Sequence, residues 1–213
     1  SALLEKIYTI IQNHSIENAQ YSAILIEDDL DGNFYGMDKS QIQGYIHSIQ
    51  EKIHSILKCN IPIFILYASP EIESWFIADW DNGFGYIYTS DAFVTDIDLP
   101  TKIFFAHHLR QYLNTYVLKE YSNDIENYGY FDQKYYKLSD EIIEAIQTKV
   151  KEYISELPNT NRLYSEKISS SRDLYYSKKI HGDRMLRKLD PLILSKKCRH
   201  YFAPTFNSFR NLI

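Results

Sequence analysis

With 213 residues, the chain is long enough to bury a substantial core, and its 19 Tyr and 11 Phe against 7 Gly and 6 Pro exclude a disordered or linker-like polymer. No run approaches the roughly 20 apolar residues of a membrane helix, and no basic-then-apolar leader opens the sequence, so the expectation is a cytoplasmic protein with no membrane contact. The formal charge of -5 is unevenly spread: residues 172–213 hold ten Lys/Arg against three Asp, a balance of +7, which leaves -12 on the rest. Such a basic end serves either phosphate-bearing partners or the protein's own acidic face.

Taken in order, residues 2–13 place Leu3, Leu4, Ile7, Ile10 and Ile11 at helical spacing. Tyr21 to Ile26 reads as a buried strand that stops at the carboxylate-rich turn Glu27-Asp28-Asp29-Leu30-Asp31-Gly32. Asp38 or Ser40 caps a helix to about Leu57, and Ile61 to Tyr67 is a second all-apolar strand. Ser69-Pro70-Glu71 supplies an N-cap, a Pro for the first helical position and a first-turn acid, which predicts a helix from there to about Trp80. Helices alternating with near-continuous apolar strands predict a parallel sheet covered on both faces, with ligands at the carboxyl ends of its strands. Both acidic clusters fall there.

The middle carries weaker signals. Gly85 to Thr89 reads as a short edge strand, Thr101 to about Tyr121 as helix, and Asn123 to Lys137 as a tyrosine-rich loop. Ser139 caps a strongly periodic helix to about Leu157, and Gly182 to Leu189 is helical before Pro191. Cys59 and Cys198 have no metal-ligand spacing and read as buried free thiols. His107 and His108 point to diverging faces of one helix and cannot chelate together. His181 reads first as a solvated loop histidine.

Asp29 and Asp31 can turn two carboxylates to one hard cation, although Asp before Gly after a strand is also an ordinary turn. The helix that follows the second strand adds weight. At about 100° per residue, Glu73 falls between Phe76 and Ile77 and nearly above Trp80, and Asp79 falls between Trp75 and Ile72. A helix that is apolar all round is buried, and a buried carboxylate costs several kcal/mol, on the order of 3–5, unless a cation meets it. A helix dipole accounts for Glu71 and a salt bridge or cap for Asp79, whereas Glu73 lacks such an account.

The pattern strand-Asp29-x-Asp31-Gly32, helix, strand-Ala68-x-Pro70-Glu71-x-Glu73-x-Trp75-x-x-Ala78-Asp79 resembles a bacterial TOPRIM-like family known mainly as a domain of unknown function. The segment Tyr176-x-Lys178-Lys179-x-His181-Gly182-x-Arg184, followed by Cys198 and closely spaced Phe residues, is similar to that family's C-terminal end. The resemblance implies a TOPRIM-like three-layer α/β sandwich with a mostly parallel central sheet over residues 1–95, a helical insertion over 96–170, and a basic segment, 171–213, packing back on the core. Relatives in the wider group, such as topoisomerases, primases and overcoming-lysogenization nucleases, make or break phosphodiester bonds with Mg2+. The implied function is therefore a Mg2+- or Mn2+-dependent nuclease acting in defence against phage or mobile DNA. Asp29, Asp31, Glu71 and Glu73 are its expected metal-binding and catalytic residues, and Lys178, Lys179 and Arg184 its expected anchors for nucleic-acid phosphate. TOPRIM enzymes carry a Glu at the end of a strand before the first helix. The sequence opens on a helical pattern, in which Glu5 is a poor replacement, so that strand is expected to be missing. The departure opens a second reading, a non-catalytic TOPRIM-like interaction module partnering an ATPase. A nucleotide-binding domain, the third reading, has no Gly-rich phosphate loop in its support.

Overall fold

The computed structural model describes residues 2–14, 21–57, 61–90, 97–131, 134–156, 162–170 and 174–212. The fold is mixed α/β and 67% helical, and among the described residues the parallel sheet expected from the sequence is a single pair of strands. Among the described residues, no helix is long and apolar enough to cross a membrane.

Helix α1 (Ala2–His14) leads to strand β1 (Ile24–Asp29), helix α2 (Lys39–Leu57) and strand β2 (Ile63–Ala68). The strands pair in register from Ile24 with Ile63 to Asp29 with Ala68. Alternation along β2 divides the interior. Ile63, Ile65 and Tyr67 pack with Ile49, Ile53 and Leu57 of α2 and with partly buried Leu3, Leu4 and Ile7 of α1. Leu66 and Ala68 face the opposite way, into the larger core built by the rest of the chain. A strand buried on both faces has no polar face to display, and this explains the uninterrupted apolar run of β2. Asp38 and Gln41 form a reciprocal cap at the start of α2: Gln41 N donates to Asp38 Oδ1 and Asp38 N to Gln41 Oε1, each at 2.9 Å.

Several sequence expectations are corrected. β1 runs on to Asp29, so Glu27, Asp28 and Asp29 are strand residues rather than the turn after it. Pairing with β2 holds the backbone extended, and the ladder continues as Leu30 N donates to Ala68 O (2.9 Å) and Asp31 N to Pro70 O (2.8 Å). Helix α3 is Glu73–Ala78, so Pro70 precedes the helix and Ser69 does not cap it; the Ser69 hydroxyl donates instead to Glu126 O at 2.6 Å. Gly85 to Thr89 is not an edge strand but most of helix α4 (Phe84–Thr89), which buries Phe84, Gly85, Ile87 and Tyr88 at helical spacing.

Helix α5 (Leu99–Tyr112), capped by Asp98 on Thr101 N, stops short of the expected Tyr121. It widens into a π-turn over Leu113–Leu118 and tightens into 3-10 turns over Lys119–Asn123 and Ile125–Asn127. The tract expected as a loop also holds a two-residue antiparallel hairpin, β3 (Tyr130–Phe131) and β4 (Lys134–Tyr135). Helices α6 (Leu138–Glu156), α7 (Arg162–Ser170), α8 (Lys178–Leu186), α9 (Pro191–Lys197) and α10 (Phe202–Arg210) complete the chain. Of these, α7, α9 and α10, each of nine residues or fewer, are too short to have been read from the sequence, and α8 begins four residues before the expected Gly182. The last helices pack on the sheet and on α3: Phe209 meets Phe64 of β2 edge-on at 5.5 Å, and Phe202 meets Trp75 at 5.1 Å.

Candidate functional site: an acidic pair bridged by Lys178

The carboxyl end of β1 and the start of α3 stand side by side because β1 and β2 are parallel neighbours. Asp29 uses its two oxygens for different tasks. Oδ1 accepts from Ile72 N at 2.8 Å, satisfying an amide that α3 leaves without an intrahelical partner. The cap sought in Ser69 is thus supplied from the adjacent strand. Oδ2 accepts from Lys178 Nζ at 2.7 Å, tying the first residue of α8 to the sheet across 149 residues.

Glu73 is fully buried, with Oε1 accepting from the Tyr176 hydroxyl at 2.8 Å. Its Oε2 has no hydrogen-bond partner and lies 3.6 Å from Lys178 Nζ. Burial pushes the Glu73 carboxyl above its ordinary range, against the lowering effects of the Lys178 charge and the Tyr176 hydroxyl. Burial pulls the Lys178 ammonium down, but the Asp29 hydrogen bond and the charges of Glu73, Asp29 and Glu71 outweigh it and leave it raised. Lys178 therefore stays protonated at neutral pH. Burial and the neighbouring Glu73 likewise push the Tyr176 phenol up, so it serves as a donor.

The other expected site residues go elsewhere. Glu71 is buried, and its two oxygens accept from Ser139 N (3.0 Å) and Ser139 Oγ (3.1 Å). It meets a helix dipole as the sequence suggested, but that of α6 rather than α3. Asp31 follows β1 in the left-handed region (φ 46°) and is half-buried in the turn. Lys179 and Arg184 are exposed on α8. His181 sits on α8 rather than in a loop; its Nδ1 accepts from Ser177 N at 3.0 Å, and burial, then Arg184, lowers its pKa. Asp79, which the sequence left as a salt bridge or a cap, accepts from Asp190 N at 2.7 Å and from Asn82 Nδ2. Cys198 is a buried free thiol whose pKa burial raises, whereas Cys59 lies outside the described residues.

Sequence reasoning missed two participants: Tyr176, the hydroxyl partner of Glu73, and Lys178 in its position between the carboxylates. Both belong to the Tyr176-x-Lys178 motif, so the signal was present and only its destination was hidden. Among the described residues, no group of three or more His, Cys, Asp or Glu side chains is placed to hold a metal ion. What does converge is a pair of oxygens, Asp29 Oδ2 and Glu73 Oε2, on one cationic point. These are hard donors suited to Mg2+ or Mn2+, and Glu73 Oε2 lacks the hydrogen bond that a buried carboxylate oxygen normally finds. The pair fits a divalent ion in the place that the ammonium takes. Glu71, with both oxygens engaged at Ser139, does not fit without releasing α6.

No protein-family model, curated protein or solved structure matches this chain.

Proposed function

We propose that the chain is a TOPRIM-like, metal-dependent nuclease whose Mg2+ or Mn2+ is held by Asp29 and Glu73, with Asp31 in support and Glu71 left at the start of α6. The observation that carries this reading is the convergence of Asp29 Oδ2 and the unpartnered Glu73 Oε2 on one point at the carboxyl end of a parallel strand pair. A bound divalent ion would supply Lewis-acid charge on a phosphoryl oxygen and would polarise a water for attack.

The chain's own residues do the rest. Asp29, fixed by Ile72 N, keeps one oxygen aimed at the site. Tyr176 fixes the rotamer of Glu73 by donating to Oε1, which leaves Oε2 turned toward Lys178. Lys178 is half-exposed, so its ammonium can leave the carboxylates and meet a phosphate, with Lys179 and Arg184 along the same helix as further anchors. In such a nuclease the strand pair and the helices around it form part of a TOPRIM-like three-layer sandwich.

The test is cleavage of plasmid, single-stranded DNA and RNA by the full chain in Mn2+ or Mg2+, alongside Asp29→Asn and Glu73→Gln. Metal-dependent cleavage that both variants lose supports the reading. Cleavage that survives in both overturns it, as does an absence of cleavage with no Mn2+ binding.

The Lys178 ion pair favours a second reading. The ammonium already ion-pairs with both carboxylates, as expected if the network is structural and the chain is a non-catalytic interaction module partnering an ATPase. In that case Mn2+ leaves the urea unfolding midpoint of the wild-type chain unchanged.

A further inference from the structure

A cavity lies at the far end of α3 from Glu73. It measures about 600 Å³ and is bounded by α3, α5, the π- and 3-10 turns that follow α5, and α9 with the residue pair after it. Its floor is apolar and buried: Ala78, Trp80, Leu113 and Ile125 are each 6% exposed or less. Its rim carries the cationic side chains Arg110, Lys196, Lys197 and Arg199, and among the described residues no acid lines it. That is a marked bias in a chain whose net charge is -5.

Helix dipoles explain only part of the rim. Lys196 and Lys197 close the last turn of α9, where cations are favoured, and Lys197 Nζ donates to Ala78 O at 2.7 Å, satisfying a carbonyl of α3. Arg110 comes from α5 and Arg199 from beyond α9, and neither position is selected by the α9 dipole. Arg110 lies over the Trp80 ring at 5.6 Å, and the carboxylate nearest to it, Asp81 at 3.9 Å, is almost fully exposed. Arg199 Nε donates to Lys196 O at 2.8 Å, which leaves its terminal nitrogens for other partners. Among the described residues, no carboxylate pairs with Lys196, Lys197 or Arg199. Four like charges around one cavity repel one another, and an anion relieves that repulsion.

A ligand matched to this cavity joins a flat apolar body to several negative charges. A fatty acid has one charge, too few for the rim, and inorganic phosphate leaves the apolar floor uncovered. Asn114, Ser122 and Asn123 add donors and acceptors at the cavity wall, where base edges or a sugar can be hydrogen-bonded. The volume lies within the range of small-ligand sites.

We propose that this cavity binds a nucleoside polyphosphate, with its base over the Trp80–Leu113 floor and its phosphates on Arg110, Lys196 and Arg199. Recognition is by side-chain cations, so no Gly-rich loop is required. The proposal does not rest on the cation site at Glu73.

The test is titration calorimetry of the full chain with ATP, adenosine, palmitate and a single-stranded 20-mer, all in EDTA so that the Asp29 site cannot contribute. The expected result is ATP binding in the range of roughly 10–100 µM, with adenosine and palmitate at least tenfold weaker. Lys196→Ala combined with Arg199→Ala, and separately Arg110→Gln on another element, should each weaken ATP at least tenfold. Asp29→Asn should leave ATP binding unchanged. Absence of ATP binding at millimolar concentration overturns the proposal, as does undiminished binding by folded forms of both cationic variants, or binding of palmitate or the 20-mer in preference to ATP.

Discussion

The Lys178 ammonium stands 2.7 Å from Asp29 Oδ2 and 3.6 Å from Glu73 Oε2, so one cation from α8 joins the end of β1 to the start of α3. Glu73 is fully buried and its Oε2 has no other partner. Removing the ammonium therefore leaves a buried charge with less compensation. Fully buried pairs broken from one side cost about 3–5 kcal/mol, but Lys178 is half-exposed and water can partly replace it, so Lys178→Ala should cost about 1–2 kcal/mol. Asp29→Asn should lose the ion pair while its amide oxygen still accepts from Ile72 N, and Asp29→Ala should lose both. Urea unfolding of the double-mutant cycle with Lys178→Ala measures the coupling. Independent, additive effects of Asp29→Asn and Lys178→Ala would show that the contact contributes nothing in solution.

Much of this centre was legible because it is encoded by short segments with strong local signals. The two apolar strands and the periodic α2 and α6 leave few alternatives, and parallel pairing then brings Asp29 and Glu73 to one edge. The destinations of Lys178, Tyr176 and Glu71 depend on how α6 and α8 pack, and no periodicity within 172–184 specifies that. Gly85 to Thr89 shows the ambiguity of short apolar runs. Five residues with Tyr and Ile at alternate positions suit a strand, but Gly85 packs so tightly on Trp80 that a Cβ would come within 2.8 Å of Trp80 O, and the helix wins on packing.

Glu71 demonstrates how one carboxylate couples the site to a distant element. It accepts from both the amide and the hydroxyl of Ser139 at the start of α6. Glu71→Ala should destabilise the fold by about 2–3 kcal/mol, because a buried charged hydrogen bond is lost and Ser139 N is left without its acceptor. Ser139→Ala keeps the amide and should cost only about 1 kcal/mol. The two can be compared by thermal unfolding; equal losses would remove Glu71 from the capping role.

Glu126 supplies the pH dependence. Buried beneath the start of α10, it accepts from the backbone amides of His200 (2.5 Å), Tyr201 (3.2 Å) and Phe202 (3.1 Å). Burial raises its pKa, and the three amides pull the other way without restoring it. A raised native pKa means that the folded state holds a proton that the unfolded chain has already released. The stabilisation is complete below the unfolded value, about 4.3 for Glu, and is lost as pH rises through the native value. The slope of unfolding free energy against pH should therefore carry a negative contribution in that window, absent in Glu126→Gln. A variant slope identical to that of the wild type would contradict the assignment.

Gly83 tests the packing that holds α3 in place. It lies between α3 and α4, and a Cβ added there would come 2.1 Å from Phe76 O, 2.6 Å from Phe76 Cα and 2.7 Å from Phe76 C. All three are backbone atoms of a residue with no exposed surface, so no side chain can swing aside to make room. Gly83 N also donates to Asp79 O at 2.7 Å, and Asp79 in turn accepts from Asp190 N before α9. Displacing Gly83 thus loosens α3 and α9 together. Overpacking of a rigid interior costs about 1–3 kcal/mol where side chains can adjust and more where backbone must move, so Gly83→Ala should lose about 3 kcal/mol or more. Gly44→Ala on α2, where a Cβ meets nothing within 4 Å, should be neutral or slightly stabilising by helix propensity. Urea unfolding of the two variants side by side separates the steric effect from that of replacing glycine as such, and equal midpoints would refute the close approach at Phe76.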